Sequence, residues 1–258
     1  MLEAYLRERL QKQEILLMTH IVIGYPDFDT SLRLVETMVE AGVDLMELQV
    51  PFSEPMADGP VILHANQAAL SGGSTVERCF ELAAEVTRRF PIPFLFMSYY
   101  NVVFRQGVPA FVARMKQTGL RGAIVPDLPP EEAGDYLGAM REQALDPIFI
   151  YSPSTKPERL ATIARHASGF VYCVARKGVT GAKTQFSDEL TSYLQRARAA
   201  TSLPLAVGFG VKHASDVDFL RGKADIAVVG SETLRVLDEQ GVAAVRPFLT
   251  NLRGDARA

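Results

Sequence analysis

The sequence predicts an α/β chain folded as a single (β/α)8 TIM barrel, with one extra helix ahead of the first strand. Three observations carry that prediction. Eight short runs rich in β-branched or aromatic residues alternate with stretches of helical periodicity along the whole chain. The length, 258 residues, suits eight such units, which together need roughly 250. No Ser-, Gly- or Pro-rich linker and no block of like charge divides the chain, so residues 1–258 read as one domain. A doubly wound open sheet is the competing topology, but it calls for a G-x-G-x-x-G turn after its first strand. Here that place holds Gly24-Tyr25-Pro26.

Taken in order, a mixed-charge, helix-prone segment from Leu2 to about Lys12 supplies the extra helix. Residues 15–23 read as the first strand, closed by the turn Gly24-Tyr25-Pro26-Asp27. From 30 to 41, Leu32, Leu34, Val35, Met38 and Val39 mark one face of a helix, and Gly42 stops it. The second strand is expected at 45–50. Six more follow at 92–97, 122–125, 147–150, 169–174, 203–207 and 225–228, each bounded by turn residues. Helices are expected between them, at 61–70, 76–89, 109–118, 130–143, 157–165, 187–200, 214–220 and 234–252.

Composition narrows the partners. Charge is nearly balanced, 27 basic against 30 acidic residues for a net of -3, which argues against nucleic acid or a membrane surface as a partner. The two cysteines, Cys79 and Cys173, form no CxxC or Cys/His cluster, so a reducing, cytoplasmic setting is expected and a structural metal is not. There is no basic start followed by an apolar run and no apolar stretch long enough to span a bilayer; a signal peptide is not expected.

The chemistry of such a barrel belongs at the carboxyl ends of its strands. In the second strand Glu47 sits among apolar neighbours, and alternation puts Gln49 on the same inward face. A loop rich in Pro and Gly follows and carries Asp58 next to Gly59-Pro60. Two carboxylates so placed suit acid/base work on one small substrate, because burial and mutual repulsion drive neighbouring acids apart in proton affinity. Structural readings stand beside this one: Glu47 as a core ion-pair partner, Asp58 as a helix cap. Ser98-Tyr99-Tyr100-Asn101 after strand three could wall a pocket for a flat ring, and strand six contains Tyr172. Asp127 after strand four reads as a cap for the next helix. The segment Arg176-Lys177-Gly178-Val179-Thr180-Gly181-Ala182-Lys183 reads as a lid.

Glycines follow the last two strands, in Val207-Gly208-Phe209-Gly210-Val211 and Val228-Val229-Gly230-Ser231-Glu232. At those two places in the order they point to phosphate, through close backbone approach and the amide groups that open a helix. His64, His166 and His213 have no partner ligand at helical spacing, so no metal site is expected. His20 stands near the mouth on strand one and is read as packing against substrate or Glu47, with a general acid/base role as the alternative.

Residues 47–60, Glu-Leu-x-Val-Pro-Phe-Ser-x-Pro-x-Ala-Asp-Gly-Pro, together with Arg176-x-Gly-Val-Thr-Gly181, Gly208-Phe209-Gly210 and Gly230-Ser231, closely resemble the tryptophan synthase alpha chain family. The resemblance runs over essentially the whole chain. It implies a lyase that splits indole-3-glycerol phosphate into indole and glyceraldehyde 3-phosphate by a retro-aldol reaction without a cofactor. It implies Glu47 as the general acid/base and Asp58 as the carboxylate that holds the indole N–H. Tyr99, Asp127, Tyr172 and Thr180 match pocket or lid positions, and Gly181, Gly210, Gly230 and Ser231 match the phosphate site. It further implies an alpha2beta2 complex in which indole passes through a tunnel to a beta chain carrying pyridoxal phosphate. Three positions depart from the family pattern. Gln49 stands where Gly is usual, Glu54 replaces Asp in the loop facing the beta chain, and His20 replaces an apolar or aromatic residue. A free-standing indole-glycerol-phosphate lyase and a non-catalytic activator of the beta chain are the alternatives these departures leave.

Overall fold

The segment Leu-Leu-Met-Thr-His-Ile-Val, residues 16–22, is buried along its whole length. A strand with water on neither face must be covered on both, which is the condition of a parallel sheet wrapped by helices. A computed structural model describes residues 2–56, 58–175, 188–208 and 210–254. In it eight strands form a closed barrel: β1 (Leu16–Val22), β2 (Leu45–Gln49), β3 (Phe94–Met97), β4 (Gly122–Ile124), β5 (Asp146–Tyr151), β6 (Val171–Val174), β7 (Leu205–Gly208) and β8 (Ile226–Val229). All pair in parallel in chain order, and β8 closes on β1.

Outside lie α1 (Leu2–Leu10), α2 (Phe28–Glu40), α3 (Pro60–Ser71), α4 (Val76–Arg89), α5 (Tyr100–Gln106), α6 (Val108–Gln117), α7 (Gly134–Glu142), α8 (Pro157–Ala164), α9 (Asp188–Ala200), α10 (Ala214–Leu220), α11 (Ser231–Gln240) and α12 (Val245–Arg253). Among the described residues no helix is long and apolar enough to cross a membrane.

Alternation along the strands separates two apolar layers. Leu17, Ile21, Met46 and Leu48 face the helices, whereas Leu16, Met18, Leu45, Leu95, Ile148 and Ile226 fill the barrel. Higher up, the inward positions turn polar, with His20, Glu47 and Gln49 all buried. Register sets His20 beside Glu47, and Val22 beside Gln49. The opposite end is plugged by α1, whose Leu2 and Leu6 join the interior layer. Burying two leucines there contributes about 3–6 kcal/mol, and the amide of Leu2 donates to Asp146 Oδ2 at 3.2 Å. Asp44, wholly buried just before β2, accepts from Arg9 Nη2 (2.7 Å), Gln13 Nε2 (2.6 Å), the Leu17 amide (2.9 Å) and Arg253 Nη2 (2.8 Å).

Helix boundaries differ from expectation at three places. The polar stretch after β3 is a helix, α5, split from α6 by Gly107 at φ +81°. Its first amide, on Tyr100, donates to Asp127 Oδ1 at 2.8 Å. Asp127 thus caps the helix after β3 and not the one after β4, a link that local pattern cannot show. The expected helix 130–143 divides into a 3-10 turn, Pro130–Glu132, and α7. The expected helix 234–252 divides into α11 and α12 because Gly241 adopts φ +80°, and α11 starts three residues earlier, at Ser231. Residues 176–187, which include the expected lid with Thr180 and Gly181, lie outside the described residues.

Candidate active site

The site grows out of β2 and the loop behind it. Glu47 is 5 % exposed, and its Oε1 lies 2.7 Å from His20 Nδ1 on the neighbouring strand. The loop is pinned by Asn66 of α3, whose Oδ1 accepts from the Phe52 amide at 2.9 Å and whose Nδ2 donates to the Ile62 carbonyl at 2.8 Å. Asp58 turns inward. Its Oδ2 accepts from Gln49 Nε2 at 2.7 Å and from the Tyr99 hydroxyl at 3.3 Å. The N-cap of α3 is Gly59 with Pro60 behind it, so Asp58 does not fill that role. Gln49 therefore serves Asp58, whereas Glu47 is served by His20. The Tyr99 ring is held by stacking on Phe52, centroids 5.1 Å apart.

The electrostatics follow from this pairing. Burial pulls the His20 imidazole down, but the facing Glu47 charge and its hydrogen bond, helped by Asp58 and Gln49, outweigh burial and hold it above its ordinary value. Burial also pushes the Asp58 carboxyl up, against the opposing pull of Gln49, His20 and Tyr99. Burial, with the charges of Glu47 and Asp58, keeps the Tyr172 phenol protonated well above its usual range. The mouth thus raises the proton affinity of His20, Asp58 and Tyr172 alike.

These groups border a cavity of about 480 Å³, a size suited to a small organic ligand. Glu47, Asp58, His20 and Tyr172 line it together with Gly210, Gly230 and Ser231. Ser231 opens α11 behind Gly230, so amide groups that a helix cannot satisfy internally stand at its wall. Lys212 and Glu232 border it as well and pair at 3.3 Å, and Arg235 Nη1 also donates to Glu232 at 3.3 Å. Two cations against one carboxylate favour an anion there. Ser152 and Ser154 complete the rim.

Of the residues singled out from sequence, the structure brings Glu47, Asp58, Tyr172, Gly210, Gly230 and Ser231 to one cavity, with Tyr99 holding Asp58. Asp127 is not among the lining residues. Gly208 has a different task from Gly210: a Cβ on it would lie 2.3 Å from the Tyr172 hydroxyl, so its lack of a side chain makes room for that ring. Lys212, Ser152 and Ser154 were missed. A lysine two residues past Gly210 was a visible signal; the serines follow β5 with no pattern to mark them. Among the described residues no cluster of His, Cys, Asp and Glu is placed to hold a metal ion.

A closed parallel barrel whose cavity is lined both by two inward carboxylates and by a helix N-terminus defines an acid/base enzyme for a small anionic substrate. Residues 6–251 match the family described as tryptophan synthase alpha chain. The tryptophan synthase alpha chain of Desulforapulum autotrophicum is 65 % identical over 252 residues, covering 98 % of this chain and 100 % of that one. That of Syntrophotalea carbinolica is 63 % identical, with 98 % and 100 % covered. The tryptophan synthase structure from Mycobacterium tuberculosis superposes with a TM-score of 0.92 at 34 % identity, over 98 % of this chain and 96 % of that one. A structure of the a2b2 complex from Pyrococcus furiosus gives 0.87 at 32 %, over 93 % and 98 %. The chain belongs to the tryptophan synthase alpha chain family. It is a lyase acting on indole-3-glycerol phosphate in tryptophan biosynthesis.

Proposed function

We propose that Glu47 and Asp58 carry the cleavage, with the indole ring between them and the phosphate at the α11 end of the cavity. Glu47 gives its proton to ring carbon C3: the O–H bond breaks, a C–H bond forms, and the ring becomes a cationic indolenine. Asp58 accepts the ring N–H and balances that charge. The glycerol hydroxyl then returns a proton to Glu47, its oxygen forms the carbonyl of glyceraldehyde 3-phosphate, and the C–C electrons flow back into the ring to release indole. The protonated ring is the electron sink, so the step draws on no cofactor of its own.

Phosphate rests on the backbone of Gly210, Gly230 and Ser231, with Lys212 adding a cation; Gly181 and Thr180 belong to the same proposal but lie outside the described residues. Tyr172 and Tyr99 position the ring. The chain works as one unit, 1–258, in the cytoplasm, and hands indole to a tryptophan synthase beta chain carrying pyridoxal phosphate in an alpha2beta2 complex. One observation carries the reading: Glu47 and Asp58 border the same cavity as the first turn of α11. The test is indole release from indole-3-glycerol phosphate, with and without the cognate beta chain. Slow release that rises with the beta chain and falls about 10²–10⁴-fold in both Glu47→Gln and Asp58→Asn is expected. Undiminished turnover in either variant removes that residue from the mechanism. Fast release without a beta chain points to a free-standing lyase.

A further inference from the structure

Two buried polar atoms at the mouth of the barrel have no hydrogen-bond partner, His20 Nε2 and Gln49 Oε1. They belong to the two side chains that hold the acids. His20 Nδ1 lies 2.7 Å from Glu47 Oε1, and Gln49 Nε2 donates to Asp58 Oδ2 at 2.7 Å. Both holders are sealed from water, at 2 % and 0 % exposure. Their unused atoms are a ring nitrogen able to donate and an amide oxygen able to accept, and the Gln49 side chain acts on His20 in the sense of favouring its charged form. The four side chains stand in one row as two bonded pairs, Glu47 with His20 and Gln49 with Asp58.

A histidine–glutamate pair buried only for packing would be a poor bargain, since apolar residues of similar volume usually do as well or better. This row borders the substrate cavity. We propose that His20 and Gln49 are positioning residues that join the two carboxylates into a single unit, His20 acting as proton reserve for Glu47 and Gln49 aiming Asp58 at the ring nitrogen. The inference rests on the lyase reading of Glu47. One proton is shared by the His20–Glu47 pair. Moving it from Nδ1 to Oε1 breaks N–H, forms O–H, and turns an imidazolium facing a carboxylate into a neutral imidazole facing a carboxylic acid. That acid protonates ring carbon; the substrate hydroxyl later returns a proton to Glu47, so none is consumed. Among the described residues the charged and titratable groups around His20 are Glu47 and Asp58 on β2 and its loop, Tyr99 after β3 and Tyr172 on β6, with Lys212 and Glu232 also lining the cavity. Gly230, at the start of α11, faces it too: a Cβ there would lie 4.0 Å from that of His20.

The experiment is the pH profile of indole release by wild type, His20→Asn, His20→Phe and Gln49→Leu, each with the beta chain. Asn offers an amide donor where Nδ1 stood, so it holds Glu47 without storing a proton. His20→Asn is expected to retain turnover at low pH while its alkaline limb moves to lower pH by about one unit. His20→Phe loses hold and reserve together and drops kcat about tenfold or more across the range. Gln49→Leu lowers kcat with the alkaline limb in place. A limb unmoved in His20→Asn, or full activity in His20→Phe, overturns the proposal. A second readout needs no turnover: the ¹⁵N resonances of the His20 ring should titrate above those of a free histidine and fall in Glu47→Gln. Ring resonances indifferent to Glu47→Gln overturn the row even in an active enzyme. If wild type releases no indole, the lyase reading fails by itself, and the resonances still decide whether the two side chains share a proton.

Discussion

Strand β2 is preceded by one buried acid and contains another, Asp44 at the barrel floor and Glu47 near its mouth, and the two are held by opposite kinds of partner. Asp44 is saturated by two guanidiniums, an amide side chain and a backbone N–H. The guanidiniums stay charged at any accessible pH, so none of the groups bonded to the Asp44 carboxylate takes or gives a proton. Glu47 is held by one imidazole, which can do both. Within one turn of sequence the same chemical group is thus used once to lock the chain and once to move a proton. The difference lies in the partner, and it follows the barrel's division of labour between a floor that stabilises and a mouth that reacts.

The sharpest way to break this comparison is at the mouth. Glu47→Gln should cost at least about 10²-fold in turnover with a smaller loss of stability than Asp44→Ala, because His20 can turn neutral when its partner's charge is removed; a loss as large as that of Asp44→Ala would place Glu47 with Asp44. Asp44→Ala should do the reverse, lowering unfolding free energy by about 3 kcal/mol in urea titration, with turnover per folded molecule retained. A third test uses pH. The folded-state value of His20 lies above that of a free histidine, so its pairing contributes stability in full below about pH 6.5 and loses it as pH rises through the folded value. Relative to wild type, His20→Asn should be less stable in acid and should converge with it at alkaline pH; a gap that widens with pH would contradict the sign. The smallest effect is expected at Gly208→Ala, where the new methyl group displaces the Tyr172 ring at a cost of about 1–3 kcal/mol, read as a raised KM with little change in kcat.

Much of the barrel was legible because its signal is repeated. Eight runs with turn residues at both ends over-determine the topology, and Glu47 and Asp58 stood out as acids in places that needed an explanation. What escaped depends on contacts between distant segments. That Asp127 caps α5 follows from the packing of two loops 27 residues apart. His20 against Glu47 was one of the two placements expected for it, and strand register decided between them. Gln49 was placed on the same inward face as Glu47, yet it turns to Asp58, while His20 holds a Glu47 oxygen. The division between α11 and α12 was visible in Gly241, yet the apolar pattern on both sides of it runs on without interruption.

The pairing at Asp44 also sets an order in time. During synthesis Arg9 and Gln13 have already been made when Asp44 leaves the ribosome, whereas Arg253 comes 209 residues later. Until it arrives the floor lacks one of its two cations, and α12, which packs against α2, has not been added to the wall. A nascent chain halted before Arg253 should therefore be cleaved rapidly by protease, and one released beyond it should resist. The last helix acts as a latch, so a ribosome that stops early leaves behind a chain that is quickly degraded in place of a half-built enzyme that lingers.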